Sequence, residues 1–538
     1  MHSLIRRALR GNGFYIGKIF EEAARRDPGL EVTLDQPLRW APDRGTEFTV
    51  AGLADLVDDL AARLWAAGVR PAERVALYKT NNFDIALFAC AVARIGAVPA
   101  LLSPFLDGEI VFTLLHRLER PWLLTDSDTI DGPLHEIPVA AATRGVLLAA
   151  GAERVGAVDL SAIAEAPRRD AVLLHPRQPS LISHSSGTTG IPKLAVHCPE
   201  AGYHRLIPQK LAAWPIRGKE KAALCMTFVH SRFYQALAMW LELGNPLVIA
   251  VDADPGRVGP LFARTRPGYV ETHPNNYVDW EVLADDPAEP LSGVRYFGAT
   301  FDAMHPRTIQ RMLGASHRRR PLFLQAYGQS EIGPVAGRWY TRRSAKNADG
   351  RCVGMPLPGF ISMRVVGADG KRVKTGAVGH LEVRSRTRIL TYLGEDARYA
   401  KEVRDGWWRL GDMGYRDRWG LLHLLDREVD QIESMTSNLE VEDILMSRLD
   451  ELREIVIVAG PHGEPVPVVA TRDDGPLDPE RWRRATGDLP AMAPVWQFDF
   501  AKLPRTSTWK IQRHQLAKLV REDRGAAART ATGKGKGA

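Results

Sequence analysis

The chain is poor in cysteine. It has four among 538 residues, Cys90, Cys198, Cys225 and Cys352, scattered without metal-ligand spacing. That argues against a disulfide framework and against a zinc site, and predicts buried thiols in a reducing compartment. Long apolar runs are absent too. The most apolar stretch, Ile85 to Leu106, is broken by Arg94, Gly96 and two prolines, and falls short of the ~20 unbroken apolar residues of a membrane span. Arg6, Arg7 and Arg10 near the start are not followed by an apolar core, so no signal peptide is read and a cytoplasmic protein is expected. Neither charge sign dominates. The net charge is +7 and the pI about 9.2, part of it held by Arg318-Arg319-Arg320 and by Lys534 and Lys536 near the end. No basic surface interleaved with aromatics is evident, which argues against nucleic-acid binding. The phosphate-loop string G-x-x-x-x-G-K-[ST] is also missing.

What remains is a chain of ordinary globular composition, 45% hydrophobic and 25% charged, too long for one core and therefore of two or more domains. Residues 14–26 predict an amphipathic helix with Ile16, Ile19, Phe20 and Ala23 on one face. Phe48 to Gly68 reads as a short strand and then a helix. Val75–Leu77 is a strand, Ile85–Ile95 a helix opened by Asn81-Asn82, and Gly96–Leu102 a further strand. Strands alternating with helices predict parallel sheets with crossover helices, an α/β fold.

One string organises the rest: Ser185-Ser186-Gly187-Thr188-Thr189-Gly190-Ile191-Pro192-Lys193. Its glycines permit a tight turn and close approach of a ligand. Four hydroxyls and several backbone N–H groups can face one anion, and Lys193 adds a positive charge, so the loop suits polyphosphate. A second string, Tyr327-Gly328-Gln329-Ser330-Glu331, ends the strand predicted from Leu322. Tyr327 offers a ring for a base to stack on, Ser330 a hydroxyl, and Glu331 a hard oxygen ligand for a magnesium ion that keeps most of its waters.

These two strings resemble the phosphate loop and the Tyr-Gly-x-[Ser/Thr]-Glu motif of the adenylate-forming superfamily, which holds acyl- and aryl-CoA synthetases, peptide-synthetase adenylation domains and luciferase. The likeness continues in order from about residue 15 to 520. Ala72-Glu73-Arg74-Val75-Ala76 stands at the family's Gly-Asp-Arg-Val-Ala. Gly298-Ala299-Thr300 stands at its turn beside adenine, Leu410-Gly411-Asp412 at its Thr-Gly-Asp, and Arg427 at a ribose-contacting arginine. Lys510, in Leu503-Pro504-Arg505-Thr506-Ser507-Thr508-Trp509-Lys510, stands at its catalytic lysine. The resemblance implies a large N-terminal domain of parallel and mixed sheets with flanking helices (1–426) and a small α+β C-terminal domain (427–520) that rotates. Residues 521–538 read as a disordered tail.

The same resemblance implies a division of labour. Ser185, Ser186, Gly187, Thr188, Thr189, Gly190 and Lys193 would hold ATP phosphates. Gly298, Ala299, Thr300, Tyr327, Gly328 and Ser330 would line the adenine and phosphate site. Asp412 and Arg427 would take the ribose, and Glu331 would take Mg2+. Lys510 would bridge the attacking carboxylate and the α-phosphate, with Glu331 and Thr188 as its catalytic companions. His230 is the candidate wall of the substrate pocket, with a core histidine at a strand end as its alternative. Arg232, Phe233, Tyr234 and Ile332 complete the pocket. Phe233 would shorten it, and Arg232 would either neutralise an anionic substituent or pair with a surface carboxylate.

Four departures concern the phosphate loop and the thiol half of the family's reaction. Leu194 replaces the last glycine of the phosphate loop, and Val429 stands at the hinge. Residues 430–438 lack the glycine that admits a thiol, and Trp509 replaces the glycine before the lysine. Adenylation is thus better supported than thiol transfer. The expected activity is ATP-dependent activation of a small aryl acid as acyl-AMP, with release of pyrophosphate and with coenzyme A as acceptor in one version. The alternative is an ATP- and nitrite-dependent diazotase acting on an amino-aryl acid, as in some natural-product relatives. A catalytically inactive nucleotide- or acyl-binding protein is the reading from another class; it would be favoured by loss of Lys510 or Glu331, and both are present.

Overall fold

A computed structural model describes residues 13–184, 191–300, 304–505 and 511–522. Among them, two large sheets dominate. The eight-stranded sheet runs, edge to edge, Thr391–Tyr392, Leu194–His197, Leu181–His184, Val98–Leu101, Arg74–Leu77, Trp122–Thr125, Gly145–Leu148 and Ala157–Asp159. From Leu181–His184 to the far edge every pairing is parallel. Such strands are covered on both faces, which is why they read as continuous apolar runs.

The second sheet has fourteen strands. Its parallel part comprises Glu31–Leu34, Leu247–Ile249, Ala222–Cys225, Tyr269–Thr272, Tyr296–Ala299 and Leu322–Gln329. The last of these pairs antiparallel with Gly333–Tyr340, and an antiparallel extension follows through Cys352–Pro356, Leu422–Arg427, Trp407–Arg416, Gly379–Arg384 and Ser362–Val366. Helices Val50–Ala66 and Asp84–Arg94 bury apolar faces in one extended core that also takes the helix Ser231–Glu242.

A third, three-stranded sheet (Leu452–Ala459, Pro465–Thr471, Trp496–Gln497) carries its own clusters around Leu445, Ile457 and Val469 on one face and Val456, Val468 and Leu516 on the other. It meets the large sheets through ion pairs: Arg453 with Asp279 at 2.6 Å, Arg472 with Glu281 at 3.0 Å, Glu440 with Arg351 at 3.0 Å and Asp443 with His305 at 2.9 Å.

The predicted elements before residue 102 all form, within about two residues of their expected ends apart from a 3-10 turn, Ile16–Lys18, that opens the first helix. The strand Leu422–Arg427 makes Arg427 the cross-strand partner of Asp412. One expectation changes: His230 does not end a strand. It is the N-cap of the helix Ser231–Glu242, its Nδ1 accepting from the Arg232 backbone N–H at 3.1 Å. All four cysteines are buried free thiols. No helix among the described residues is long and apolar enough to cross a membrane.

Candidate active site

The carboxyl ends of the parallel strands of the second sheet open into a cavity of about 1050 Å³. Crevices at such strand ends are the usual ligand sites of open α/β sheets. One end of this cavity is built from strand termini and turns. Tyr327 is part-buried, and its Oη donates to Asp412 Oδ2. Burial and the adjacent Asp412 carboxylate push the Tyr327 hydroxyl well above its ordinary pKa, so it stays a donor. The other Asp412 oxygen lies 3.5 Å from Arg427 Nε. Gln329 Nε2 reaches the Leu410 carbonyl and fixes the same corner.

Beside it, Glu331 is buried with a defined hydrogen-bond pattern. Its Oε1 accepts from Tyr392 Oη at 2.5 Å and lies 3.7 Å from Lys193 Nζ. Lys193 donates to Tyr392 Oη at 3.1 Å and sits 4.5 Å from the centre of that ring. Glu331 Oε2 has no protein partner among the described residues. No cluster of three or more metal-ligating side chains occurs among them either. One carboxylate with one open oxygen fits an ion held mainly by phosphate and water, as Mg2+ is, and does not fit an all-protein metal cage.

Behind Glu331 runs a buried polar chain. Arg205, 1% exposed, donates to the Glu331 carbonyl at 2.9 Å, the Thr387 carbonyl at 2.7 Å and His197 Nδ1 at 3.3 Å. Burial lowers the Arg205 pKa to about 10, against the pull of Glu331. Burial and the nearby Arg205 hold His197 well below its ordinary range. Its neutral ring therefore carries the proton on Nε2, toward Ser183 Oγ at 2.8 Å. This chain ties the two strands that flank residues 185–193 to the turn carrying Glu331.

The other end of the cavity is made of side chains from four distant segments. Arg232 grips Glu271 in a bidentate pair, Nε to Oε1 at 2.7 Å and Nη2 to Oε2 at 2.6 Å. Glu271 is fully buried in the strand Tyr269–Thr272. Tyr269 Oη donates to its Oε2 at 2.8 Å, and Thr300 Oγ1 lies 3.4 Å from Oε1. Arg232 Nη1 donates to Gln209 Oε1, and Gln209 Nε2 donates to Gln235 Oε1 at 3.1 Å. Between the two ends, His230 Nε2 meets Ser330 Oγ at 3.0 Å. Since His230 Nδ1 accepts a backbone bond, its neutral ring donates from Nε2, leaving the Ser330 hydroxyl proton free to turn toward a ligand.

Of the residues expected at the site, Lys193, His230, Arg232, Gly298, Thr300, Tyr327, Gly328, Ser330, Glu331, Asp412 and Arg427 all line this cavity. Ser185, Ser186, Gly187, Thr188, Thr189, Gly190 and Lys510 lie outside the described residues. Of the expected tail, 521–538, residues 521 and 522 continue the helix that begins at residue 513, and the rest lies outside the described residues. Next to Lys510, Ile511 forms a β-bridge with Arg505, and Ile511, Arg513 and His514 line the cavity.

Four expected residues do not line it. Phe233 and Tyr234 point from the opposite face of their helix into the core, Phe233 packing edge-on against Phe83 and Phe228. A helix that turns Arg232, Gln235 and Met239 to the cavity must send the positions following Arg232 elsewhere. Ile332 packs with Ala195 and Val335, and Ala299 is buried in the sheet's other core. Arg232 pairs with a buried carboxylate, not with a surface one.

Sequence reasoning passed over Arg205, Gln209, Glu271 and Tyr392. Glu271 carried a signal: a carboxylate in a strand whose four residues are all buried must have a charged partner. The others are single polar residues in unremarkable segments.

With this geometry in view, the comparisons are specific. A family model described as AMP-binding enzyme matches residues 20–393. The 3-amino-2-hydroxy-4-methoxybenzoate diazotase of Streptomyces cremeus is 68% identical over 97% of this chain and 98% of its own length. The 3-aminoavenalumate diazotase of a Streptomyces species is 26% identical over 79% of this chain and 78% of its own. Among solved structures, an anthranilate CoA ligase in complex with anthranoyl-AMP superposes with a TM-score of 0.80 at 18% identity, over 96% of this chain and 99% of that one.

Proposed function

The chain belongs to the AMP-binding, adenylate-forming enzymes, and on that premise we propose that it is an ATP- and nitrite-dependent diazotase of an amino-aryl acid. The observation that carries this reading is the 68% identity to a diazotase across nearly the whole of both chains. The departures at Val429, residues 430–438 and Trp509 agree with it, because diazotisation needs no thiol.

The reaction balances without a further reagent. A nitrite oxygen attacks the α-phosphorus of ATP, the bond to the β-phosphate breaks, and pyrophosphate leaves. The aromatic amine attacks the nitrogen of the resulting O=N–O–AMP anhydride, the N–O bond breaks, and AMP leaves with its electron pair. The N-nitroso product then loses water. Amine, nitrite and ATP become diazonium, AMP, pyrophosphate and water.

The residues divide as follows. Tyr327 and the Gly298–Thr300 turn flank the base, and Asp412 with Arg427 takes the ribose hydroxyls. Residues 185–190 and Lys193 cradle the β- and γ-phosphates, where Ser330, its hydroxyl proton released by His230, adds a donor. Glu331 Oε2 would hold Mg2+, which supplies charge neutralisation at the phosphates. Lys510, in the segment after 427 that we assign to a small second domain, would meet the α-phosphate oxygen and the attacking oxygen, a demand set by charge in the transition state.

The test is product analysis by mass spectrometry with Mg-ATP and amino-aryl acids, supplied separately with nitrogen-15 nitrite or coenzyme A. Labelled diazo product formed only with nitrite is the expected result. AMP with a thioester and no diazo product would replace this reading by that of a carboxylate-activating ligase.

A further inference from the structure

We propose that Arg232, on the floor of the cavity, holds the carboxylate of the amino-aryl acid, so that this carboxylate is a recognition handle and not the group that is activated. The inference rests on the diazotase reading and adds the orientation of the substrate.

It comes from a count of donors and acceptors. Glu271 has two oxygens and four donors: two N–H groups of Arg232, the Tyr269 hydroxyl and the Thr300 hydroxyl. Its charge is matched by Arg232. Arg232 has five N–H groups, and three find acceptors, two on Glu271 and one on Gln209. A fourth is directed at the Tyr269 hydroxyl, and the fifth has no acceptor among the described residues. The floor therefore has a donor to spare and no acceptor to spare.

The two orientations of an amino-aryl acid now differ sharply. With the carboxylate toward the phosphates, the amine's N–H groups would face a floor whose one carboxylate is saturated. With the carboxylate on the floor, it meets the open N–H group of Arg232, and the amine faces the end lined by Lys193, Ser330 and Glu331. Unmet buried donors are costly, so the second orientation is the favoured one.

The test compares binding of 3-amino-2-hydroxybenzoate with that of 2-aminophenol, which lacks the carboxylate, to the full chain by titration calorimetry without nitrite. The wild type should prefer the acid by about 10–100-fold, the range for hydrogen bonds to a charged group. Arg232→Gln should lose that preference while holding 2-aminophenol within about twofold. Because Arg232→Gln strands a buried carboxylate, the Arg232→Gln/Glu271→Gln double variant is measured beside it. It should keep a near-wild-type thermal midpoint and show the same lost preference. Equal weakening of both ligands would overturn the proposal. So would acyl hydroxamate formed from the acid, ATP and hydroxylamine, since that places the carboxylate at the α-phosphate. Diazonium formation is scored separately. Its absence would count against the diazotase reading, whereas the binding preference decides where the carboxylate sits.

Discussion

The two ends of the cavity are made differently. The end we assign to the nucleotide is assembled from runs of a few consecutive residues: 298–300 and 327–331 at strand ends, and 410–412 within the strand Trp407–Arg416. The end we assign to the aryl substrate is assembled from isolated side chains on two helices and one strand, Gln209, Arg232 with Gln235, and Tyr269 with Glu271, and it shares Thr300 with the 298–300 run. Variants at the two ends should therefore fail in different ways.

The largest expected effect belongs to the nucleotide end. Lys510→Ala should lower the adenylation rate by at least about 10²–10³-fold, the cost of removing one preorganised charge partner from a transition state, while ATP binding stays largely intact. Rapid-quench pyrophosphate release set beside equilibrium ATP binding measures both. Undiminished turnover would remove Lys510 from the mechanism.

At the aryl end the failure should be one of folding. Glu271→Ala leaves the Arg232 guanidinium buried without its partner. Loss of one member of a buried pair costs about 3–5 kcal/mol, visible as a lower denaturation midpoint. Removing both charges together should restore much of that stability. A Glu271→Ala protein as stable as wild type would mean that the pair is solvated and that the floor is not the closed polar surface described above.

That contrast also explains what could be read before the structure. The runs 298–300, 327–331 and 410–412 were legible because glycine, hydroxyl and carboxylate stand at fixed short spacings, and spacing survives in a linear string. The helices and parallel strands of the first hundred residues were legible from periodicity. The aryl floor was not. Glu271 lies 39 residues from Arg232, and Gln209 meets Arg232 only through the packing of two helices. Phe233 and Tyr234 were misassigned because adjacency in sequence is not adjacency on a helix face. Arg232 was found by position, but its partner was not, since no local pattern joins them.

A more moderate loss should follow from Asp412→Asn. The amide keeps the shape and one acceptor oxygen but gives up the charge that Tyr327 and Arg427 address. Losing a charge-assisted hydrogen bond costs about 1.5–3 kcal/mol, so KM for ATP should rise by roughly 10–100-fold while KM for the aryl substrate stays put. Steady-state titration of each substrate separately shows whether the ends are independent. A parallel rise in both would mean that the corner of Tyr327, Gln329 and Asp412 also shapes the aryl end.

The smallest effect concerns how the three-stranded sheet sits against the cavity. His305 Nδ1 lies 2.9 Å from Asp443. Burial alone would lower the pKa of His305, but the Asp443 hydrogen bond and charge, with Glu454 and Glu442 nearby, raise it to about 8. A histidine raised in the folded state gives stability that is complete below its unfolded pKa, about 6.5, and is lost as pH climbs through about 8. Wild type should therefore lose stability between pH 6.5 and pH 8.5 by up to about 1 kcal/mol, as expected of a partly exposed pair, and His305→Gln should flatten that part of the profile. Thermal unfolding across the window checks the sign. The same window tests independence once more, because His305 lines the cavity on the side of the second sheet while Asp443 belongs to the segment that leads to Lys510. If the contact holds that segment in place for adenylation, the wild-type rate should fall with the same midpoint as the stability, and the His305→Gln rate should be low and level throughout. If the two profiles part, the ion pair serves the fold alone.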